Sequence, residues 1–177
     1  ADREKRAAAA SSVVAALFLT GLKTVVGWAT GSLGILAEAL HSALDLAAAG
    51  MTLVAVRLSG RPPDRDHPYG HGKVENLSAL AETLLLLVTC GWIVVEAVER
   101  LRFDTVEVKA TAPAFLVMAV SIVVDLSRSR LLLRVAKKHD SQALEADALH
   151  FSTDVWSSAG VLAGLACVAL APRLGLP

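Results

Sequence analysis

The chain has 177 residues, enough for one or two domains, and 54% of them are hydrophobic while only 19% are charged. A soluble domain of this composition would have more apolar surface than it could bury, so the composition indicates a membrane protein. Lys plus Arg and Asp plus Glu are equal at 17 each. The chain therefore lacks the net positive charge of a nucleic-acid-binding protein, and we expect no nucleic acid as a partner.

Charge-free windows that lie inside longer, mostly apolar segments predict five membrane-spanning helices. A helix needs roughly 20 mostly apolar residues to cross the hydrocarbon core, and such segments run at about 7–30, 34–57, 76–99, 112–135 and 145–171. The predicted fold class is an all-α polytopic membrane helix bundle. The first segment is too long for the apolar part of a signal peptide and lacks a clear cleavage site, so we expect a retained helix.

The positive charges predict the orientation of the bundle. Most Lys and Arg residues flank the N-terminus, the loop after the second span and the loop after the fourth span. Because the cytoplasmic loops of membrane proteins are enriched in Lys and Arg, the N-terminus is predicted to lie in the cytoplasm. After five spans, residues 171–177 would then lie outside, where another span would begin.

The two cysteines give no functional signal. Cys90 and Cys167 lie in apolar segments without CxxC spacing, which predicts neither a disulfide framework nor a thiolate metal site. We expect both thiols to be reduced and buried.

Two His-x-x-x-Asp pairs are the most informative polar residues in the spans. Ionisable side chains within a membrane helix cost about 2.5 kcal/mol or more and usually face the bundle interior or a wet cavity. The second span contains His41 and Asp45, and the fifth contains His150 and Asp154. Residues i and i+4 share one helix face, so each pair presents an imidazole and a carboxylate together. For one isolated pair, the alternative is an internal His–Asp hydrogen bond.

Two such pairs that face each other would supply four ligands to one divalent cation. Two imidazoles and two carboxylates can complete the tetrahedral coordination of Zn²⁺. Neither Cys nor Met is among them, which argues against Cu(I), whereas Co²⁺, Fe²⁺ and Mn²⁺ are alternatives. The sequence therefore predicts an intramembrane metal site, and the two histidines favour zinc.

The loop after the second span contains a second candidate metal site. Asp64, His67 and His71 lie close together in this polar segment. Pro68 and Gly70 separate them, so helical periodicity cannot predict whether the three side chains converge. The alternative is a solvated polar turn.

Four further acidic residues of the spans have weaker signals. Glu38 precedes the first His-x-x-x-Asp pair and would either orient its histidine or only make a polar contact of the second span. Asp125 is predicted to form an ion pair at the cytoplasmic end of the fourth span, where Arg128 and Arg130 follow close by. Glu82 and Asp147 would line the cytoplasmic approach to the metal site, although a helix-start role is the alternative for Asp147.

Three motifs together resemble the cation diffusion facilitator family. They are Gly31–Asp45, His67–Glu75 and Ala146–Asp154, and they extend over most of the chain. That family consists of homodimeric divalent-metal/proton antiporters with six membrane helices and a cytoplasmic C-terminal metal-binding domain. The resemblance implies that this chain is the transmembrane portion of such a protein, with the sixth helix and the cytoplasmic domain beyond residue 177.

The resemblance also implies roles for the candidate ligands and a location for the protein. The residues that match the family's intramembrane transport site are His41, Asp45, His150 and Asp154, and those that match its loop site are Asp64, His67 and His71. The two His-Asp pairs are similar to those of zinc-transporting members, whereas many bacterial relatives have Asp at the first position. We therefore expect Zn²⁺ as the transported substrate, protons as the counter-ion, a homodimer, and a multi-pass location in the cell (inner) membrane.

Metal and protons would compete for the same four side chains, because metal binding requires deprotonated ligands. If the site opens alternately to the two sides, this competition exchanges metal for protons and exports the metal. The alternatives are an intramembrane metalloenzyme and a structural metal-binding subunit. The sequence contains neither HExxH nor GxSxG, so we do not predict an enzyme.

Overall fold

The computed structural model describes residues 2–103 and 111–170, and these ranges form five α-helices and no strands. The helices are α1 (Asp2–Thr30), α2 (Leu33–Ser59), α3 (Lys73–Phe103), α4 (Ala112–His139) and α5 (Gln142–Leu170). They contain the predicted spans and mostly extend past them into polar flanking residues. Residue 171, the predicted end of the fifth span, lies outside the described residues. The prediction of an all-α membrane helix bundle is confirmed.

Two tight turns make antiparallel pairs of neighbouring helices. Between α1 and α2, Gly31 has a φ of +62°, a conformation that glycine adopts without strain. Ser32 then caps α2, because its side-chain oxygen accepts a hydrogen bond from the Ile35 N–H at 3.4 Å. Between α4 and α5, Asp140 adopts the left-handed conformation and the Ser141 N–H bonds to the Ala136 carbonyl at 3.1 Å.

The bundle consists of the pairs α1–α2 and α4–α5, with α3 packed against α2 and α5. The two pairs meet through contacts of α1 with α4 and of α2 with α5. The main buried cluster contains Ala8, Ala9, Ala49, Ala55, Val56, Leu132, Ala136, Ala143, Leu144, Ala148 and Phe151. These residues belong to the first halves of α1 and α5 and to the last parts of α2 and α4. The tightest packing therefore lies at the predicted cytoplasmic end.

Polar contacts between helices stabilise the predicted cytoplasmic end of the bundle. The Glu75 carboxylate accepts hydrogen bonds from Lys5 Nζ at 2.5 Å, from Ser59 Oγ at 2.6 Å and from Ser141 Oγ. The contacts connect α1, α2, α3 and the α4–α5 turn. The N-terminus and the two loops that carry most of the positive charge thus lie at one end of the bundle.

The outer surface is largely apolar. On α3 the exposed side chains include Leu84, Leu87, Val88, Trp92 and Ile93. Three helical segments are long and apolar enough to cross a membrane, namely Asp2–Thr30, Gly34–Ser59 and Lys73–Val95. Within the described residues, α4 and α5 are not among these three segments, and both carry buried ionisable side chains. Their membrane crossing stays a prediction.

The expected burial of the cysteines is wrong. Cys90 and Cys167 are free thiols, but both are exposed. The lipid-facing surface of a membrane helix is as apolar as its packed face. Apolar neighbours in the sequence therefore did not distinguish an outward-facing position from a buried one.

Candidate metal centre

The two His-x-x-x-Asp pairs meet between α2 and α5. His150 Nε2 lies 3.2 Å from Asp45 Oδ1 and 3.6 Å from Asp154 Oδ2. His41 Nε2 lies 3.9 Å from Asp45 Oδ1 and 3.8 Å from Asp154 Oδ1. Each imidazole therefore contacts the carboxylate of its own helix and the carboxylate of the other.

These spacings suit a small dication. Two ligand atoms that each lie about 2.1 Å from a tetrahedral zinc ion are about 3.4 Å apart. The observed N–O separations of 3.2, 3.6, 3.8 and 3.9 Å lie on both sides of that value. One ligand atom each from His41, Asp45 and Asp154 lie within 4.8 Å of one another, whereas His150 does not belong to that set. Coordination of one cation by all four side chains would therefore require one of the two imidazole rings to move.

The centre is buried, but its four side chains are not equally accessible. The side chain of His150 is 4% exposed, compared with 12% for Asp45, 14% for Asp154 and 32% for His41. Two buried atoms, His150 Nδ1 and Asp154 Oδ2, have no hydrogen-bond partner. The His150 ring also packs edge-on against Phe151, with the ring centroids 5.4 Å apart. Access to the centre therefore leads past His41.

A buried lysine, which the sequence analysis did not identify, lies beside the centre. Lys23 of α1 is 3% exposed, and its ammonium group donates to Ser42 Oγ at 2.8 Å and to Glu38 Oε2 at 3.2 Å. Glu38 therefore makes a polar contact with α1, and a polar contact of the second span is one of its two predicted roles. A lysine inside an otherwise apolar span was the available signal, because such residues usually face the protein interior.

The predicted ion pair of Asp125 is confirmed, and its partner is Arg128. The two side chains are buried and lie 3.2 Å apart. Arg128 also donates to Ser12 Oγ of α1 at 3.0 Å and lies 3.5 Å above the Phe151 ring. The guanidinium group therefore connects α1, α4 and α5.

The loop residues Asp64, His67 and His71 also converge. Their ligand atoms lie within 4.8 Å of one another. Asp64 Oδ1 lies 3.1 Å from His67 Nδ1, and Asp64 Oδ2 lies 3.3 Å from His71 Nε2. The chain turns between the histidines at Gly70, whose φ of +84° favours glycine and whose N–H bonds to the His67 carbonyl at 3.0 Å. The turn therefore brings together three side chains that do not lie on one face of a helix.

The loop presents an ionised carboxylate to solvent. The backbone N–H of His67 donates to Asp64 Oδ1 at 2.7 Å, and the His67 ring adds a second contact. These contacts hold the pKa of the Asp64 carboxyl group below its ordinary value. Asp64 is therefore available as an anionic ligand at neutral pH, although its role as a ligand stays a prediction.

Comparisons with known proteins support a transport family. The family described as the cation efflux transmembrane domain matches residues 9–175. The chain is 34% identical to the cation-efflux pump FieF of Cronobacter sakazakii, over 91% of this chain and 53% of that protein. It is 33% identical to the cation-efflux pump FieF of Citrobacter koseri, over 90% of this chain and 53% of the relative.

A third relative is archaeal. It is an uncharacterized transporter of Methanocaldococcus jannaschii, 36% identical over 87% of this chain and 54% of that protein. The chain spans about half the length of the curated relatives it matches. The match over residues 9–175 agrees with the resemblance carried by the sequence motifs. The chain belongs to the cation diffusion facilitator family, as a cation efflux transmembrane domain.

Proposed function

We propose that this chain is the transmembrane part of an exporter that moves divalent metal cations, principally Zn²⁺, out of the cytoplasm in exchange for protons. The observation that carries the proposal is the buried convergence of two imidazoles and two carboxylates from α2 and α5. The relatives named as cation-efflux pumps support the direction of transport.

The ligand types support the choice of substrate. Two nitrogen and two oxygen donors at these separations favour zinc in a tetrahedral arrangement, while Co²⁺, Fe²⁺ and Mn²⁺ can use the same donors. His41 and His150 supply the nitrogen atoms, and both imidazoles must be deprotonated to bind metal. Protons that arrive from the outer side would therefore displace the cation and return on the vacated ligands.

The location and assembly of the exporter are part of the proposal. We place the protein in the cell (inner) membrane with its N-terminus in the cytoplasm, because the basic residues gather at one end of the bundle. The functional unit is a homodimer, which we propose from the family resemblance. Asp64, His67 and His71 would then form a metal-binding site on the cytoplasmic side.

The experiment that tests this function measures metal flux across a sealed bilayer. The purified chain, and any longer protein that contains it, is reconstituted into vesicles with a zinc-sensitive dye and a pH-sensitive dye. We expect Asp45→Asn and Asp154→Asn each to lower zinc flux to the level of protein-free vesicles, because each removes an anionic ligand. Proton movement opposite to zinc should disappear in the same variants.

The matched control is Asp140→Asn in the α4–α5 turn, which removes one negative charge away from the centre. Asparagine also tolerates the left-handed conformation of this position. We expect flux within about a factor of two of the unaltered protein, since surface substitutions change stability little. Unaltered flux in both site variants would contradict the proposed transport site.

A further inference from the structure

Lys23 of α1 is a buried cation that belongs to neither the metal centre nor the Asp125–Arg128 pair. Its ammonium group donates to Ser42 Oγ at 2.8 Å and to Glu38 Oε2 at 3.2 Å. The side chain of Lys23 is 4% exposed, whereas that of Glu38 is 33% exposed. A buried ammonium group is costly, and within a membrane span it usually has a functional role. The two partners on α2 compensate the burial of this charge.

Both partners of Lys23 lie next to a ligand of the metal centre. Glu38 precedes His41 by three residues of α2, and Ser42 follows His41 directly. Side chains three residues apart on a helix have Cβ atoms about 5–6 Å apart. Glu-x-x-His is also the spacing with which helices of di-iron and di-manganese carboxylate proteins chelate their metals. Glu38 therefore has the spacing of a ligand that shares one cation with His41.

Glu38 nevertheless does not belong to the group of ligand atoms that converge. Among the described residues, the convergent group on α2 and α5 contains His41, Asp45 and Asp154. Glu38 Oε2 instead contacts the ammonium group of Lys23 on the neighbouring helix. The side chains of Glu38 and His41 are 33% and 32% exposed, so both lie on the accessible side of the centre. The ammonium group of Lys23 and a bound cation would therefore compete for the Glu38 carboxylate.

We propose that Lys23 is a positioning residue that holds the Glu38 carboxylate out of the four-ligand centre. A third carboxylate would add a charged oxygen donor, and metal affinity rises with the number of charged ligands. Tighter binding mostly means slower release, whereas a transport site has to let its ion leave. The consequence for transport rests on the proposed export function, but the effect on binding does not.

The test measures Co²⁺ binding by visible absorption, in a protein whose loop site is disabled by His67→Ala and His71→Ala. The absorption reports geometry, because tetrahedral Co²⁺ absorbs more strongly than five-coordinate Co²⁺. We expect Lys23→Met to raise the Co²⁺ affinity about tenfold and to lower the absorption per bound ion, because Glu38 becomes a fifth ligand. If Lys23→Met does not fold, Lys23→Gln keeps a hydrogen-bond donor without the positive charge and should show the same two changes.

The double variant Lys23→Met with Glu38→Gln should regain the affinity and absorption of the starting protein, since the added carboxylate is gone. The matched control is Thr20→Val, which removes another hydrogen bond between α1 and α2, from Thr20 Oγ1 to the Ser42 carbonyl at 2.9 Å. It should leave Co²⁺ affinity and absorption unchanged. Elution volume and helical circular dichroism show whether each variant is folded. Unchanged or weaker binding in Lys23→Met, or a gain that persists in the double variant, would overturn the proposal.

Zinc flux separates this proposal from the export function. In vesicles, we expect Lys23→Met to lower both the maximal zinc flux and the zinc concentration that gives half of it, and adding Glu38→Gln should restore both. Zinc flux in the unaltered protein, combined with unchanged Co²⁺ binding in Lys23→Met, would refute the role of Lys23 and leave export intact. Tighter Co²⁺ binding through Glu38, in a protein without zinc flux, would refute export and leave the role of Lys23 in binding intact.

Discussion

At the scale of single residues, the guanidinium group of Arg128 makes several of the buried polar contacts inside the bundle. Arg128 balances the charge of Asp125, donates to Ser12 and covers the Phe151 ring. Ser12 in turn donates to Asp147. Because these groups are buried, removing the guanidinium would leave a carboxylate without a counter-charge and a hydroxyl with one contact fewer.

Replacing Arg128 should therefore destabilise the bundle strongly. We expect Arg128→Met to lower the free energy of unfolding by about 3–5 kcal/mol, the usual cost of breaking a buried ion pair from one side. The measurement is the thermal unfolding of the protein in detergent. Arg130→Met on the exposed side of the same helix is the control and should change little. Adding Asp125→Asn to Arg128→Met should restore part of the loss, and no restoration would contradict the pairing argument.

Asp64 provides a second test at this scale, in the loop. Asp64→Asn removes the anionic group that contacts both His67 and His71. We expect the affinity of the loop for Cd²⁺ to fall at least about tenfold, measured by equilibrium binding to a protein whose four-ligand centre has been disabled. Asp66→Asn removes the same charge from the same exposed loop and should retain binding. Equal losses in the two variants would show a general charge effect and not a ligand at Asp64.

The lowered pKa of Asp64 fixes the sign of its pH dependence. A carboxyl group whose pKa lies below its ordinary value stays ionised to a lower pH than an unperturbed one. Its contribution to the loop is therefore present at neutral pH and is lost as the pH falls through the lowered pKa. We expect the contact between Asp64 and the His67 backbone to persist at pH 5, which amide chemical shifts of His67 can test.

At the scale of elements, α1 and α2 approach each other closely at Gly27. A Cβ atom on this residue would lie 2.9 Å from Leu36 Cδ2 and 3.1 Å from the Leu36 backbone nitrogen. The Ser32 N–H also bonds to the Gly27 carbonyl at 3.1 Å, so the turn and the helix contact use the same position. Because Gly27 has no side chain, the first turn of α2 can pack directly against α1.

A methyl group at Gly27 should force the two helices apart. We expect Gly27→Ala to lower the free energy of unfolding by about 1–3 kcal/mol, as overpacking does in other cores. Gly21→Ala on the same helix is the control, because a Cβ there would meet nothing within 4 Å. Alanine is the better helix former, so the control should be neutral or stabilising by up to about 1 kcal/mol. Equal thermal unfolding of the two variants would contradict a close approach at Gly27.

Local sequence patterns were sufficient to predict the helices and the pairing of each histidine with an aspartate on the same helix face. The four-residue spacing puts His41 with Asp45, and His150 with Asp154, on single helix faces whatever the rest of the fold does. The partners of Lys23 were not predictable in this way, since they lie on another helix and depend on the angle between α1 and α2. The loop site depended on the backbone conformation of Gly70, which a sequence of polar residues does not specify.

At the scale of the whole molecule, both ends of the bundle can be identified by their residues. The N-terminus, the loop around Tyr69 and the α4–α5 turn share one end, and Glu4 contacts Lys138 and His139 across it at 2.8 and 2.5 Å. The turn at Gly31 joins the opposite ends of α1 and α2. Impermeant reagents applied from outside the cell should therefore reach only the second end.

Cysteine labelling tests this orientation directly. In a protein with Cys90→Ala and Cys167→Ala, we expect Thr30→Cys to react with a membrane-impermeant maleimide added to intact cells. Tyr69→Cys, although fully exposed in the loop, should react only after the cells are opened. The reverse pattern would place the N-terminus outside and would contradict the proposed direction of transport.

The division of the four candidate ligands between two pairs of helices has a mechanical consequence. The α1–α2 hairpin supplies one histidine and one aspartate, and the α4–α5 hairpin supplies the others. On the proposed function, a dication bonded to all four would be a cross-link between two stiff halves. Metal–ligand bonds tolerate deviations of only about 0.2 Å, so sliding one hairpin along the other by about 1 Å would release the ion. Such a slide would break no hydrogen bond within a helix. The free-energy cost of releasing the cation would therefore come only from the contacts between the two hairpins.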